Sequence, residues 1–134
     1  MENLQEAVRQ ADIISVATLS KTPLIMGDWL RPGQHLDLIG SYRTDMREAD
    51  NEVLTRSRIY VDSLNSAPNE CGDLFIPLRD GIISLDDIQG DLFQLCSDEV
   101  QGRVDENEIT IFKSVGHALE DLVAAKLVMS NEAK

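Results

Sequence analysis

The sequence predicts an α/β chain with a mostly parallel sheet. Three observations carry that expectation. Near-continuous apolar runs recur at residues 12–18, 35–39, 59–62 and 109–113, the pattern of strands covered on both faces. The segments between them are long enough for crossovers, and several carry helical periodicity. The third observation is the stretch at residues 35–48. Its apolar run ends at Gly40, a polar turn follows, and Asp45 and Glu48 have the spacing of a helix capping box. A strand ending in Gly, then a polar loop and a helix N-terminus, is how an open α/β sheet builds a ligand crevice at its carboxyl edge.

The elements follow in order. Leu4, Ala7, Val8 and Ala11 share one helical face, so residues 1–11 read as an amphipathic helix. Ile13, Ile14, Val16 and Ala17 make the first strand. Residues 19–33 hold Pro23 and Pro32 and read as a loop with one helical turn near residues 28–30. After the strand that opens at His35, residues 48–56 read as a helix with Val53 and Leu54 inward. Residues 59–61 form a third strand, and a short helix is expected around residues 69–74. Ser84 and Asp87 have capping-box spacing before Leu85, Ile88, Leu92, Leu95 and Cys96, a helical stripe interrupted by Gly90. Residues 102–107 are a charged loop. Residues 109–113 are the fourth strand. Val115, Ala118, Leu119, Leu122, Val123 and Leu127 then give the most regular helix, ending near Met129.

A doubly wound nucleotide-binding domain has two mononucleotide halves. These strands serve one half and a little more, and the first helix has no strand before it. The pattern therefore predicts a partial doubly wound domain whose front half lies outside residues 1–134.

Composition narrows the function. The chain has 134 residues and a net charge of -12, which argues against nucleic acid and against anionic membrane surfaces, since both require a basic patch. No apolar run approaches a membrane span, and no secretory leader pattern opens the sequence. Cys71 and Cys96 are far apart with no metal-like spacing, so they read as reduced thiols of a cytoplasmic protein.

None of the eight glycines is arranged as G-x-G-x-x-G. Thr18 and Ser20 could face a ligand at the first strand's carboxyl end, or simply close the strand by side-chain to backbone bonds. Ser114, Val115 and Gly116 open the last helix, where free N–H groups can bind a carboxamide or an anion, or where Ser114 is an ordinary N-cap. Lys113 is a possible charge partner. His35 and His117 have no paired nucleophile or acid in sequence. No catalytic triad or metal-ligand set stands out, so the residues define a ligand crevice and no catalytic group.

Two long motifs add more. Residues 22–50, from Thr22-Pro-Leu-Ile-Met-Gly-Asp-Trp through Ile39-Gly-Ser-Tyr-Arg-Thr-Asp-Met-Arg-Glu-Ala-Asp, resemble the ornithine cyclodeaminase/mu-crystallin family. So does Phe112-Lys-Ser-Val-Gly-His-Ala-Leu-Glu-Asp-Leu-Val-Ala-Ala-Lys-Leu, and the Val61-Asp62-Ser63 and Gly72-Asp73-Leu74 turns fit. The resemblance implies an NAD(P)-dependent enzyme of amino-acid metabolism, usually a homodimer, with an N-terminal substrate region, a Rossmann domain and a final returning helix. This chain matches the C-terminal part of that plan. The glycine fingerprint and the cationic substrate-binding groups of the family lie upstream of these residues. By position, Ala17, Thr18, Leu19 and Ser20 match a cofactor-side loop. Ile39, Gly40 and Ser41 match the strand end under the nicotinamide. Lys113, Ser114, Val115 and Gly116 match the loop at its carboxamide. Cyclodeaminases of the family carry a catalytic Asp two residues after the Gly of the second motif, and here that position is Tyr42. Asp45 reads instead as a helix cap. The resemblance therefore implies a cyclic ketimine reductase of the Δ1-pyrroline-2-carboxylate type, using NAD or NADP, inactive as this portion alone. The final helix, residues 115–129, would pack on the upstream region. Alternatives are a mu-crystallin-like small-molecule and NADPH-binding protein, an ornithine cyclodeaminase, or a decayed reading frame.

Overall fold

The computed structural model describes residues 3–132. Its centre is one sheet of five strands, β1 (Ile13–Val16), β2 (His35–Leu38), β3 (Ser57–Val61), β4 (Ile88–Asp91) and β5 (Ile109–Lys113). The spatial order is β1-β2-β5-β3-β4, and every neighbouring pair is parallel. The expected parallel α/β architecture is thus present, with one strand more than the apolar runs indicated. Six helices accompany it: α1 (Leu4–Gln10), α2 (Asn51–Thr55), α3 (Ala67–Glu70), α4 (Gly72–Arg79), α5 (Leu92–Cys96) and α6 (Ala118–Glu132). Met1 and Glu2, where the first helix was expected to begin, lie outside the described residues.

The core is aliphatic. Leu36, Leu38, Ile59, Val61 and Ile111 are fully buried, with Val53 of α2 and Leu74 of α4 packed in the same cluster. Strand β1 departs from the expectation of a strand covered on both faces. Ile14 and Val16 are buried, whereas Ile13 is 70% exposed. The physical reason is position. β1 pairs only with β2 and ends the sheet, so one face meets α1 and the core while the other meets solvent.

Three helix expectations are corrected. The stripe at residues 84–96 is not one helix. Asp87 does accept from Ser84 N at 2.7 Å and from its Oγ at 3.0 Å, but the structure closed there is a single 3₁₀ turn, Leu85–Asp87. The chain then pairs with β3 as β4, and α5 starts on a second capping box made by Asp91 and Gln94. Tertiary pairing has overridden local propensity, and Gly90 is where it does so. A Cβ there would lie 2.8 Å from a Val100 methyl, so β4 fits under the following loop only with a bare backbone.

The helix expected over residues 48–56 is α2, and its cap is Asp50, whose Oδ1 accepts from Val53 N at 2.9 Å and from Gly27 N at 3.0 Å. Asp45 does not cap it. Asp45 instead pairs with Lys21 and Arg43, each at 2.9 Å, on an exposed turn. Replacing Asp50 by Ala is expected to lower unfolding free energy by about 0.5–2 kcal/mol, the range for lost N-caps. A urea titration reads it, and an unchanged midpoint would show that water replaces the carboxylate at both N–H groups. The last helix begins at Ala118 rather than at residue 115. Residues 114–117 form a turn, and His117 Nδ1 accepts from Leu119 N at 3.2 Å. Leu122, Val123, Leu127, Val128 and Met129 on α6 are all exposed.

Candidate functional site

The carboxyl ends of the strands line up across the sheet. Val16 pairs with Leu38, Leu38 with Lys113, and Lys113 with Val61. The residues just beyond them are Ala17, Ile39, Ser114 and Asp62. Their backbones continue the ladder, since Ile39 N donates to Val16 O at 2.9 Å, Ser114 N to Leu38 O at 3.1 Å and Asp62 N to Lys113 O at 3.1 Å. The three stretches that the motifs singled out therefore meet on adjacent strands. Their outward groups are small or apolar: Ala17 and Leu19 are exposed, and Ile39 is 44% exposed.

Beneath that edge lies a set of buried charges. Glu48 is fully buried and its carboxylate accepts four hydrogen bonds. Oε1 takes Thr18 N at 2.6 Å and Thr18 Oγ1 at 2.9 Å, and Oε2 takes Gly40 N at 2.8 Å and Ser41 N at 3.2 Å. The hydroxyl of Thr18 thus serves the fold rather than facing outward. Ser20 Oγ donates to Thr22 O at 2.6 Å and closes a local turn. Ser41 Oγ donates to Met46 O at 2.8 Å inside the same loop. Gly40 has no room for a side chain, because a Cβ would stand 2.0 Å from Thr18 O and 2.3 Å from Glu48 Oε1. Its role is close approach of two chain segments, not a tight turn.

A second acid, Asp73, is also fully buried. Its Oδ1 accepts from Glu48 N at 2.8 Å and Ala49 N at 3.1 Å, while Oδ2 makes no hydrogen bond and faces Lys113 Nζ at 3.7 Å. Lys113 is completely buried and donates to Leu38 O at 3.1 Å. It is a charge partner with no contact to solvent. Burial pushes the Asp73 carboxyl up from the ordinary Asp range, and the Lys113 ammonium and the two N–H donors oppose the rise. Burial likewise pushes the Cys71 thiol up to about 12, which makes it an inert core thiol.

The third acid, Asp62, organises the loop after β5. Its Oδ2 accepts from Ser114 Oγ at 3.0 Å, Val115 N at 2.7 Å and Gly116 N at 2.8 Å. The expectation that these two N–H groups are free for an anion is thereby corrected. They are already held by a carboxylate that follows the neighbouring strand, so they are not free for an anion. None of the three buried acids was read from the sequence as part of the site. The available signal was an Asp directly after an apolar strand, at Val61-Asp62, and an Asp after Gly ahead of an apolar helix, at Gly72-Asp73-Leu74.

The histidines stand apart. His35 is partly buried, with Nδ1 2.8 Å from Thr110 Oγ1, and burial lowers its pKa against the opposing pull of Asp37. His117 packs edge-on against Phe93. Among the described residues no group of three or more His, Cys, Asp or Glu is placed to hold a metal ion, and no helix is long and apolar enough to cross a membrane.

This edge is held from below by carboxylates, and comparison with known proteins shows the family of the chain. The model of the ornithine cyclodeaminase/mu-crystallin family matches residues 1–134. The chain belongs to that family. Among its family relatives is the Δ1-pyrroline-2-carboxylate reductase of Paracoccus denitrificans, 41% identical over 128 residues, which cover 96% of this chain and 40% of the relative. A solved structure of the Thermococcus litoralis Δ1-pyrroline-2-carboxylate reductase in complex with NADH and L-proline superposes with a TM-score of 0.91 at 39% identity, covering 95% of this chain and 39% of that one. An archaeal alanine dehydrogenase dimer with bound NAD gives a TM-score of 0.89 at 31% identity over 97% of this chain and 40% of that one. The family chain described here thus spans about 40% of the length of these relatives.

Proposed function

We propose that this chain is the nicotinamide-side portion of an NAD(P)H-dependent cyclic ketimine reductase of the Δ1-pyrroline-2-carboxylate type. The observation that carries the reading is the row Ala17, Ile39 and Ser114 on three adjacent strand ends, apolar or backbone outward and fixed from beneath. Such a surface suits the flat, weakly polar nicotinamide ring at the carboxyl edge of a parallel sheet. Bound NAD(P)H supplies the hydride for the C=N carbon of the ketimine. The chain's own share is orientation. Ala17, Thr18, Leu19 and Ser20 form one side of the cradle, Ile39, Gly40 and Ser41 its floor, and Lys113, Ser114, Val115 and Gly116 the far wall. The carbonyls of Ser114, Val115 and Gly116 are the groups available to a carboxamide, since the Ser114 hydroxyl and the N–H groups of Val115 and Gly116 serve Asp62. Similarity to reductases that handle NADH and proline-like compounds supports the same reading. No catalytic acid or base is assigned to these residues. The exposed apolar residues of α6 favour packing against a further region of the intact protein, which we propose to be a homodimer.

The residues that fit the nicotinamide end include no glycine-rich turn for the pyrophosphate, and a helix N-terminus of that kind is the usual anchor of a dinucleotide. The 134-residue chain alone is therefore expected to bind NADH and NADPH with Kd weaker than about 1 mM, equivalent to roughly −4 kcal/mol, and to self-associate through α6. Fluorescence titration with both dinucleotides and sedimentation read these two expectations. Supplied with the remaining region of the Thermococcus reductase, the chain is expected to oxidise NADH or NADPH only when Δ1-pyrroline-2-carboxylate is present. Micromolar binding by a well-behaved monomer, or no ketimine-dependent oxidation by a folded complex, would count against the proposal.

A further inference from the structure

The Glu48 side chain bonds to two of the three stretches of the proposed cradle, residues 17–20 and 39–41. We infer that Glu48 is a positioning residue, setting the spacing of residues 17–19 against residues 39–41 on which the nicotinamide is oriented. This inference rests on the cofactor reading above.

Four facts support it. The carboxylate has four donors, two from each loop, each within 3.2 Å. A carboxylate is an acceptor at both oxygens, so it serves all four donors without presenting a hydrogen to any of them. The fit is close on the opposite side too, since Gly40 has no space for a Cβ between Thr18 and Glu48 Oε1. Glu48 is itself anchored, because its N–H donates to Asp73 Oδ1, and the other Asp73 oxygen faces Lys113, which donates to Leu38 O in β2. The chain of contacts therefore runs from β5 and β2 through Glu48 to the two loops. A buried carboxylate is costly to desolvate, and well-packed apolar residues often stabilise as well or better. An ion-free loop contact would serve bare stability. What the carboxylate adds is one fixed distance between two backbones that share no direct hydrogen bond beyond Ile39 N to Val16 O. Glu48 is fully buried beneath the crest, so it acts through the loops rather than on a ligand.

The test uses two variants of the 134-residue chain and backbone NMR. Glu48→Gln keeps the shape but presents an amide NH₂ to at least one pair of donors. Thr18→Val removes one of the four hydrogen bonds and is the milder change should the first variant fold poorly. In Glu48→Gln, amide exchange at Thr18, Gly40 and Ser41 is expected to accelerate about tenfold or more, with Val53, Ile59 and Ile111 changed by less than about twofold. In Thr18→Val, the amide signals of Gly40 and Ser41 are expected to shift although the substitution is on the other loop. Millimolar NADH is expected to shift Ala17, Leu19 and Ile39 in the native chain and to do so about tenfold more weakly in Glu48→Gln. Uniform acceleration of exchange across the sheet would reduce Glu48 to a general stability element and overturn the inference. So would a Thr18→Val effect confined to its own loop. If the complemented chain oxidises no NADH or NADPH with Δ1-pyrroline-2-carboxylate while the exchange pattern is as expected, the cofactor reading fails and the loop spacing by Glu48 stands.

Discussion

Replacing Lys113 by Ala is expected to cost about 3–5 kcal/mol of unfolding free energy, the penalty for removing one partner of a buried ion pair. The loss is large because, among the described residues, Lys113 is the cation within ion-pair distance of Asp73, and Arg47 acts on it only through a longer-range charge interaction. That carboxylate is fully buried, its Oδ1 is saturated by Glu48 N and Ala49 N, and its Oδ2 has only the Lys113 ammonium at 3.7 Å. Single domains are stable by only ~5–15 kcal/mol, so the variant is expected to lose a large share of its folding margin. Urea unfolding reads the difference. A double replacement, Lys113→Met with Asp73→Asn, is expected to recover most of the loss, because no unpaired charge is left inside. A loss below about 1 kcal/mol for Lys113→Ala would show that water reaches the pair. The pH dependence has a definite sign. Burial raises the folded-state pKa of Asp73 above its unfolded value, so the folded protein holds that proton more tightly. The contribution of Asp73 to stability is then most favourable below the ordinary Asp pKa of about 3.9 and declines as pH rises through the raised value. Asp73→Asn is expected to remove this decline. Lys113→Ala, which takes away the opposing cation, is expected to extend it to higher pH.

The sheet was legible where a short apolar run is also covered in the fold. Residues 35–38 and 109–113 read as strands because their apolar runs are short and bounded by turn residues. β4 was not legible for the converse reason. Ile88 and the Leu92 to Cys96 stretch share a helical period, and Ser84 with Asp87 imitates a helix start. Pairing with β3 and the close approach of Val100 to Gly90 decide the outcome, and both depend on residues distant in sequence. The cap read at Asp45 fails for the same reason, although the Ser84–Asp87 box does form. Glu48 is spaced from Asp45 as a capping residue, yet its carboxylate faces Thr18 and Gly40, thirty and eight positions away in the chain. Spacing reports local geometry only, and a carboxylate that finds four donors inside the fold has a better use than one exposed N–H. Thr18, Ser20 and residues 113–116 were read from their places after strands, and the motif resemblance added Ala17, Leu19, Ile39 and Ser41. The acids beneath them lay in the same motifs, but their role follows from contacts between segments and could not be read from any one segment.

Ornithine is expected to be a poor substrate for the complemented enzyme, with ammonia release at least ~100-fold slower than ketimine reduction. The estimate is the low end of what a positioned general base contributes, about 10²–10⁴-fold. By the family resemblance, Tyr42 stands at the position where cyclodeaminases carry their acid. It lies two residues beyond Gly40 and is 51% exposed at the carboxyl edge, so its phenol is open to a ligand, but it brings no carboxylate to act as the base. Asp45 is the nearest acid in sequence that could stand in, and the structure argues against it. Its carboxylate is tied to Lys21 and Arg43. The Lys21 hydrogen bond, with the Arg43 charge behind it, holds its pKa below the usual Asp range. A carboxylate shifted down is a weaker base at neutral pH, and one already held by two cations must break those contacts before it can take a proton. In the proposed reading, reducing a cyclic C=N bond makes no such demand on this edge, which there would only orient the nicotinamide. Paired assays of ammonia release from ornithine and of ketimine-dependent oxidation of NADH, run on the same complemented preparation, read the ratio. Comparable rates would mean that a base other than Tyr42 or Asp45 serves the site, and that the reductase reading is too narrow.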